Sequence, residues 1–226
     1  DPEMAEGEMQ LRTDQEAEER QSRDRDQRQH DVARIHVRLH RVERAQFALD
    51  ISGPILEYFN DYFGTAYPLP KLDHVGAPGA GGFGAMENWG AIFYFESALL
   101  VDPALTTETD RQRIYGTIAH EMAHQWFGNL VTMAWWDDLW LNEGFASWMQ
   151  KKAADYFNPD WNVWLQSIKT QQTAMKADAR ASTHPVVQPV NTVAEAQTAF
   201  DEITYDKGQS VIRMLEAYLG EEAFRG

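Results

Sequence analysis

Two histidines stand four positions apart in His120-Glu121-Met122-Ala123-His124. On a helix, residues i and i+4 share a face with their β-carbons about 5–6 Å apart, so two imidazoles placed this way can share one metal ion. Glu121, beside the first, can accept a proton from a water whose pKa such an ion lowers to about 7. After His124, eighteen residues pass before Glu143, in Leu141-Asn142-Glu143-Gly144. A helix end, a turn and a return helix can bring that carboxylate back over the histidines. Taken alone, Glu143 reads better as an acid at the start of its own helix, where the dipole favours it. Taken with the spacing, it is the third ligand. Two imidazoles and one carboxylate leave a position open for water or substrate, as a hydrolytic zinc site requires. Cysteine is absent. Thiol nucleophiles, disulfides and cysteine-ligated zinc are therefore excluded, and any metal must rest on His, Asp or Glu.

The elements that must hold these residues are legible in outline. Val32, Ile35, Val37 and Leu39 partly alternate with Arg34, His36, Arg38 and His40, as in a half-buried strand with surface histidines. Phe47, Ile51, Ile55, Leu56 and Phe59 have helical spacing within 44–63, with Pro54 as an irregularity. Tyr67-Pro68-Leu69-Pro70 closes that unit. A glycine-rich loop, Gly76 to Gly84, lacks the Gly-Lys-Ser/Thr ending of a phosphate loop. The apolar run Trp89 to Phe95 reads as a buried strand. Thr107 caps a helix predicted from Glu108 to Phe127, stopped by Gly128-Asn129. Asp138 caps another to Phe157, stopped by Asn158-Pro159. A third spans Trp161 to Arg180, and residues 182–190 form a loop. Thr192-Val-Ala-Glu195 is a capping box opening a fourth helical region, and a last helix runs from Lys207 to Leu219 with Gly220 as its stop.

Composition narrows the class. The chain has 226 residues, 43% hydrophobic, enough to bury a sizeable core. Its 35 acidic and 20 basic residues give a net charge of −15, which argues against a nucleic-acid binder. No apolar run is long enough to span a membrane. The N-terminus shows no apolar signal core, so the cytoplasm is the expected compartment. From Asp1 to Asp31 there are eleven acids and five arginines but few apolar groups. That composition reads as a disordered arm over 1–31, or as a charged helix that docks a partner. Residues 32–226 read as the folded unit.

At this point a family resemblance enters. The His120-Glu121-x-x-His124 pattern with Glu143 after eighteen residues resembles the gluzincin zinc peptidases. Gly84-Ala85-Met86-Glu87-Asn88 resembles the exopeptidase signature of the aminopeptidase N-like family. Trp126-Phe127-Gly128-Asn129-Leu130-Val131-Thr132 and Trp135-Trp136-Asp137-Asp138-Leu139-Trp140 look like further segments of that family. The similarity runs from about Arg44 to Gly226. It implies an α+β, thermolysin-like domain, a small mixed sheet followed by a mainly helical half. It also implies one Zn2+ per chain on His120, His124 and Glu143, with Glu121 as general base.

Further roles rest on the resemblance alone. Glu87 is implied to bind the free α-amine of a peptide substrate, and Gly84, Ala85, Met86 and Asn88 to meet the substrate beside it. Phe200-Asp201-Glu202-Ile203-Thr204-Tyr205-Asp206-Lys207-Gly208 matches the region of an oxyanion-donating tyrosine, which assigns that role to Tyr205. Outside the motifs, Glu87 would read as a surface acid, Met86 as packing and Tyr205 as an ordinary helix tyrosine. His30, His74 and His184 receive no role. The implied function is hydrolysis of the N-terminal residue of peptides. The resemblance also implies a β-rich N-terminal domain and a large helical C-terminal domain, neither visible here, so partner domains or subunits are expected to replace them. The competing readings are a non-catalytic zinc-binding or interaction module, an epoxide hydrolase like the leukotriene hydrolase–aminopeptidases, and a thermolysin-like endopeptidase.

Overall fold

The computed structural model describes residues 33–37, 39–79 and 83–226. The arm expected over 1–31 and the side chain of His40 lie outside the described residues. A four-stranded mixed sheet comes first and a larger helical half follows.

The sheet is built from β1 (Ala33–His36), β2 (Leu72–Ala77), β3 (Ala85–Met86) and β4 (Ala91–Phe95), in the order β1-β2-β4-β3. β1, β2 and β4 are mutually parallel, and β3 runs antiparallel to β4 at the edge. The link between β1 and β2 contains α1 (Gln46–Phe63), as a parallel crossover requires. The alternation expected over 32–40 holds only in part: Ile35 is partly buried between exposed Arg34 and His36, but the strand ends at His36 and a 3-10 turn begins at Leu39. β2 was not anticipated. It is buried over Leu72, Asp73 and His74, so no polar alternation marks it.

α1 begins at Gln46 after a 3-10 turn, and Pro54 sits inside it without ending it. One face, with Ile55, Leu56 and Phe59, enters the main core, where Phe59 meets Trp126 edge-on with centroids 5.9 Å apart. Each such side chain contributes about 1.5–3 kcal/mol on burial. The same core takes Ile114, Ile118 and Met122 from α2 (Glu108–Ala123) and Trp148 and Met149 from α3 (Leu139–Phe157). Thr107 caps α2 as expected, accepting from the Asp110 amide. α2 ends four residues earlier than expected, at Ala123. There His124 turns its Nδ1 onto the Phe127 carbonyl, and Gly128, at φ +130°, reverses the chain. Asp138 makes no capping bond; residues Trp136–Asp138 form a 3-10 turn, and Asp137 instead accepts from the Val190 amide at 2.7 Å.

The third expected helix is interrupted at Asn162, φ +50°, so α4 runs from Val163 to Asp178. α5 (Val193–Thr198) opens with the reciprocal Thr192–Glu195 capping box. A π-helical turn, Ile203–Lys207, precedes α6 (Gly208–Leu219), and a short α7 (Glu221–Arg225) follows Gly220. No helix among the described residues is long and apolar enough to cross a membrane.

Candidate functional site

α2 and α3 pack side by side, and their facing surfaces bring His120, His124 and Glu143 together. The Nε2 atoms of the two histidines are 3.0 Å apart, and Oε2 of Glu143 lies 3.2 and 3.3 Å from them. A tetrahedral zinc with bonds of about 2.0–2.1 Å sets its ligand atoms roughly 3.3 Å apart, so the triangle has the size that such an ion needs. The outer ring nitrogens fix the tautomers. His120 Nδ1 meets Oε1 of Gln150 at 3.0 Å, and His124 Nδ1 meets the Phe127 carbonyl at 2.9 Å. Both Nδ1 atoms face acceptors and must carry the proton, which leaves two Nε2 lone pairs converging on a carboxylate oxygen. Three acceptor atoms at that range could together hold a cation, by the chemistry of the donor set.

Glu121 lies beside the triangle and is almost fully buried. Burial pushes its carboxyl up to about 7, against the pull of His120 and His124, and Glu87 and Glu143 push the same way. A carboxyl poised there exchanges protons readily near neutrality. Glu87 follows β3, and its carboxylate converges with Glu121 and His124 to within 4.8 Å. Its backbone carbonyl is gripped by Asn129 Nδ2 at 2.7 Å and by Gln125 Nε2 at 3.3 Å, and Asn142 Nδ2 reaches Oε1 at 3.5 Å. Tyr205, on the π-helical turn, stacks on His120 with centroids 6.2 Å apart. Its phenol is held well above its ordinary pKa, first by burial and then by Glu143, so it remains a proton donor.

These groups open onto one cavity of about 1040 Å³. Gly84, Ala85, Met86 and Glu87 line it beside the histidines and Tyr205, while Trp135, Trp136 and Phe200 form an aromatic wall. Asn88 does not line it: its side chain is exposed and folds back toward the Met86 carbonyl at 3.4 Å. The turn at Asn88–Gly90, closed by the Ala91 amide onto the Asn88 carbonyl, turns it away. Gln150 was missed in the sequence, although it follows Glu143 by seven residues and so shares its helix face. Gln125, Asn129 and Asn142 were missed because backbone support carries no spacing signal.

Residues 47–226 match the family model described as the peptidase family M1 domain. The chain is 50% identical over 184 residues to Aminopeptidase N of Oryctolagus cuniculus, covering 80% of this chain and 19% of that protein. It is 48% identical over 192 residues to Aminopeptidase M1-B of Oryza sativa subsp. japonica, covering 85% of this chain and 22% of that protein. The chain therefore spans about a fifth of the length of the curated relatives it matches. The matched stretch is the one that builds the metal-ligand triangle and the cavity around it, and over that stretch, most of its length, the chain belongs to peptidase family M1.

Proposed function

We propose that this chain is the catalytic core of a zinc-dependent aminopeptidase that removes the N-terminal residue of peptides. The observation that carries the reading is the ligand triangle of His120, His124 and Glu143 with two further carboxylates, Glu121 and Glu87, aimed into the same cavity. His120, His124 and Glu143 would hold one Zn2+, which when bound polarises a water and the scissile carbonyl.

The chain's own groups do the rest. Glu121 takes a proton from the attacking water and passes it to the leaving amine. Tyr205 donates its phenolic hydrogen to the oxygen on which negative charge develops, a contact worth on the order of 3 kcal/mol when preorganised. Glu87 receives the cationic α-amine of the substrate, a charge-assisted contact that fixes the distance from the chain end to the bond cut. Gly84, Ala85 and Met86 line the wall beside that amine. The much greater length of the relatives supports a cavity completed by further domains or subunits.

The test is hydrolysis of alanine and arginine anilides, with and without N-acetylation, alongside zinc content. About one zinc per chain and turnover abolished by acetylation support the reading, as does loss of turnover but not of metal in Glu121→Gln. Turnover indifferent to acetylation points to an endopeptidase. Zinc without turnover in the wild-type chain points to a binding module.

A further inference from the structure

The π-helical turn that carries Tyr205 is clasped from outside the cavity. Asp201, just ahead of it, accepts from the amides of Ile203 and Thr204 through Oδ1, each at 3.0 Å, and its backbone carbonyl accepts from the Tyr205 amide at 3.1 Å. The other carboxylate oxygen, Oδ2, meets Nε2 of His184 at 2.7 Å. His184 belongs to the loop between α4 and α5, and its Nδ1 meets the Pro185 carbonyl at 2.8 Å. Both ring nitrogens thus face oxygen acceptors, and only the imidazolium, with two N–H groups, satisfies both. A second clip lies alongside: Lys207, the last residue of the turn, reaches Asp178 at the end of α4 at 2.8 Å, and Thr183 donates to the same carboxylate.

We propose that His184 is a positioning residue for Tyr205: its imidazolium fixes the Asp201 carboxylate, and Asp201 in turn fixes the backbone of the turn that aims the phenol. The proposal rests on the reading of Tyr205 as the oxyanion donor. π-helical turns are rare and recur at functional sites. His184 touches none of the metal-ligating side chains. The charged groups that reach it are Asp201 ahead of the turn, Lys207 at its end and Asp178 on α4. Partial burial works against its charge, but the Pro185 carbonyl and Asp201 outweigh burial and Lys207, and its pKa is raised above 6.5. The clasp is complete while the imidazole is protonated. As pH rises through the folded pKa, one of its two bonds is lost.

The test uses the zinc-loaded chain with its eight tyrosines replaced by 3-fluorotyrosine. The fluorine resonance that disappears in Tyr205→Phe reports the phenol without reference to turnover. In the wild type it should move with pH in a step above 6.5 that His184→Gln removes. A resonance that does not move, or that moves identically in His184→Gln, overturns the proposal. On anilide substrates, His184→Leu should lower kcat about 10- to 100-fold with little change in KM, and His184→Gln, which restores one donor, should recover part of it. His184→Leu combined with Tyr205→Phe should be no slower than Tyr205→Phe alone; losses that multiply overturn the proposal. If His184→Leu does not fold, the Gln variant carries the comparison. If the wild-type chain hydrolyses no anilide, the aminopeptidase reading fails while the fluorine titration still decides the clasp.

Discussion

Gly144 and Gly208 bring two backbones into direct contact: a β-carbon on Gly144 would stand 2.9 Å from the carbonyl carbon of Gly208 and 3.0 Å from the Gln209 amide nitrogen. Gly144 follows the ligand Glu143, and Gly208 follows the turn that carries Tyr205. The contact therefore sets the separation of those two side chains. Backbone cannot swing aside as a side chain can. Gly144→Ala should cost about 1–3 kcal/mol in thermal unfolding and should lower kcat at least tenfold by pushing the Tyr205 turn outward. A β-carbon on Gly208 meets nothing closer than 3.4 Å, so Gly208→Ala should change stability by less than about 1 kcal/mol. Equal losses in the two variants would contradict this account.

Gln150 has no place in the family motifs, yet it accepts from the outer nitrogen of His120. Its removal leaves that imidazole free to turn and to change tautomer. Gln150→Leu should weaken zinc binding about 10- to 100-fold, read by competition with a chelating indicator. Gln150→Glu keeps the acceptor and should bind zinc at least as tightly as the wild type. Unchanged affinity in the leucine variant would remove Gln150 from the metal centre.

Glu87 is expected to act on binding of the substrate amine more than on bond cleavage. Glu87→Gln keeps the shape and removes the charge. kcat/KM for a free-amine anilide should fall about 10- to 100-fold. The preference for the free over the acetylated amine should narrow by the same factor. A variant that loses turnover but keeps that preference would move amine recognition elsewhere.

His74 predicts an acid limb to stability. It is fully buried, with Nε2 3.1 Å from Ser52 Oγ and Nδ1 3.1 Å from the Tyr94 hydroxyl. Burial pushes its pKa down to about 4, from 6.5 in an unfolded chain. Between those values the unfolded state binds the proton and the folded state does not, so stability falls as pH falls. The contribution is whole above pH 6.5, declines by about 1.4 kcal/mol per pH unit, and has lost about 3 kcal/mol near pH 4. Denaturant melts at a series of pH values should show this decline, and His74→Gln should flatten it.

The convergence of the candidate ligands was legible because i, i+4 spacing on a helix is itself geometry: His120 and His124 needed only the last turn and cap of α2, and Thr107 announced where α2 starts. Glu143 needed more. Its carboxylate reaches the histidines only through the packing of α2 on α3, and the eighteen-residue interval alone does not state that packing. Glu87 and Tyr205 were legible only by resemblance, since one sits on a loop and the other on a turn whose period matches neither helix nor strand. His74 received no role because a lone histidine without a motif gives no sign that a serine and a tyrosine wait on neighbouring elements. Asn88 was carried along by its motif, and the structure turns it away from the cavity.

The β1–β2 pairing joins strands parallel to each other across the whole of α1, and every group facing the ligand triangle arrives from a different stretch of chain: Glu87 after β3, the histidines on α2, Glu143 on α3, Tyr205 beyond α5. Such distant pairings form late, because long loops must close before they bring any reward. The candidate ligands themselves are close in sequence: His120, His124 and Glu143 fall within 24 residues, so their triangle needs only the packing of α2 on α3. If the triangle holds zinc as proposed, resistance of the metal to chelators would report the docking of α3 on α2, and the cavity would be completed separately, as Glu87 and Tyr205 join it.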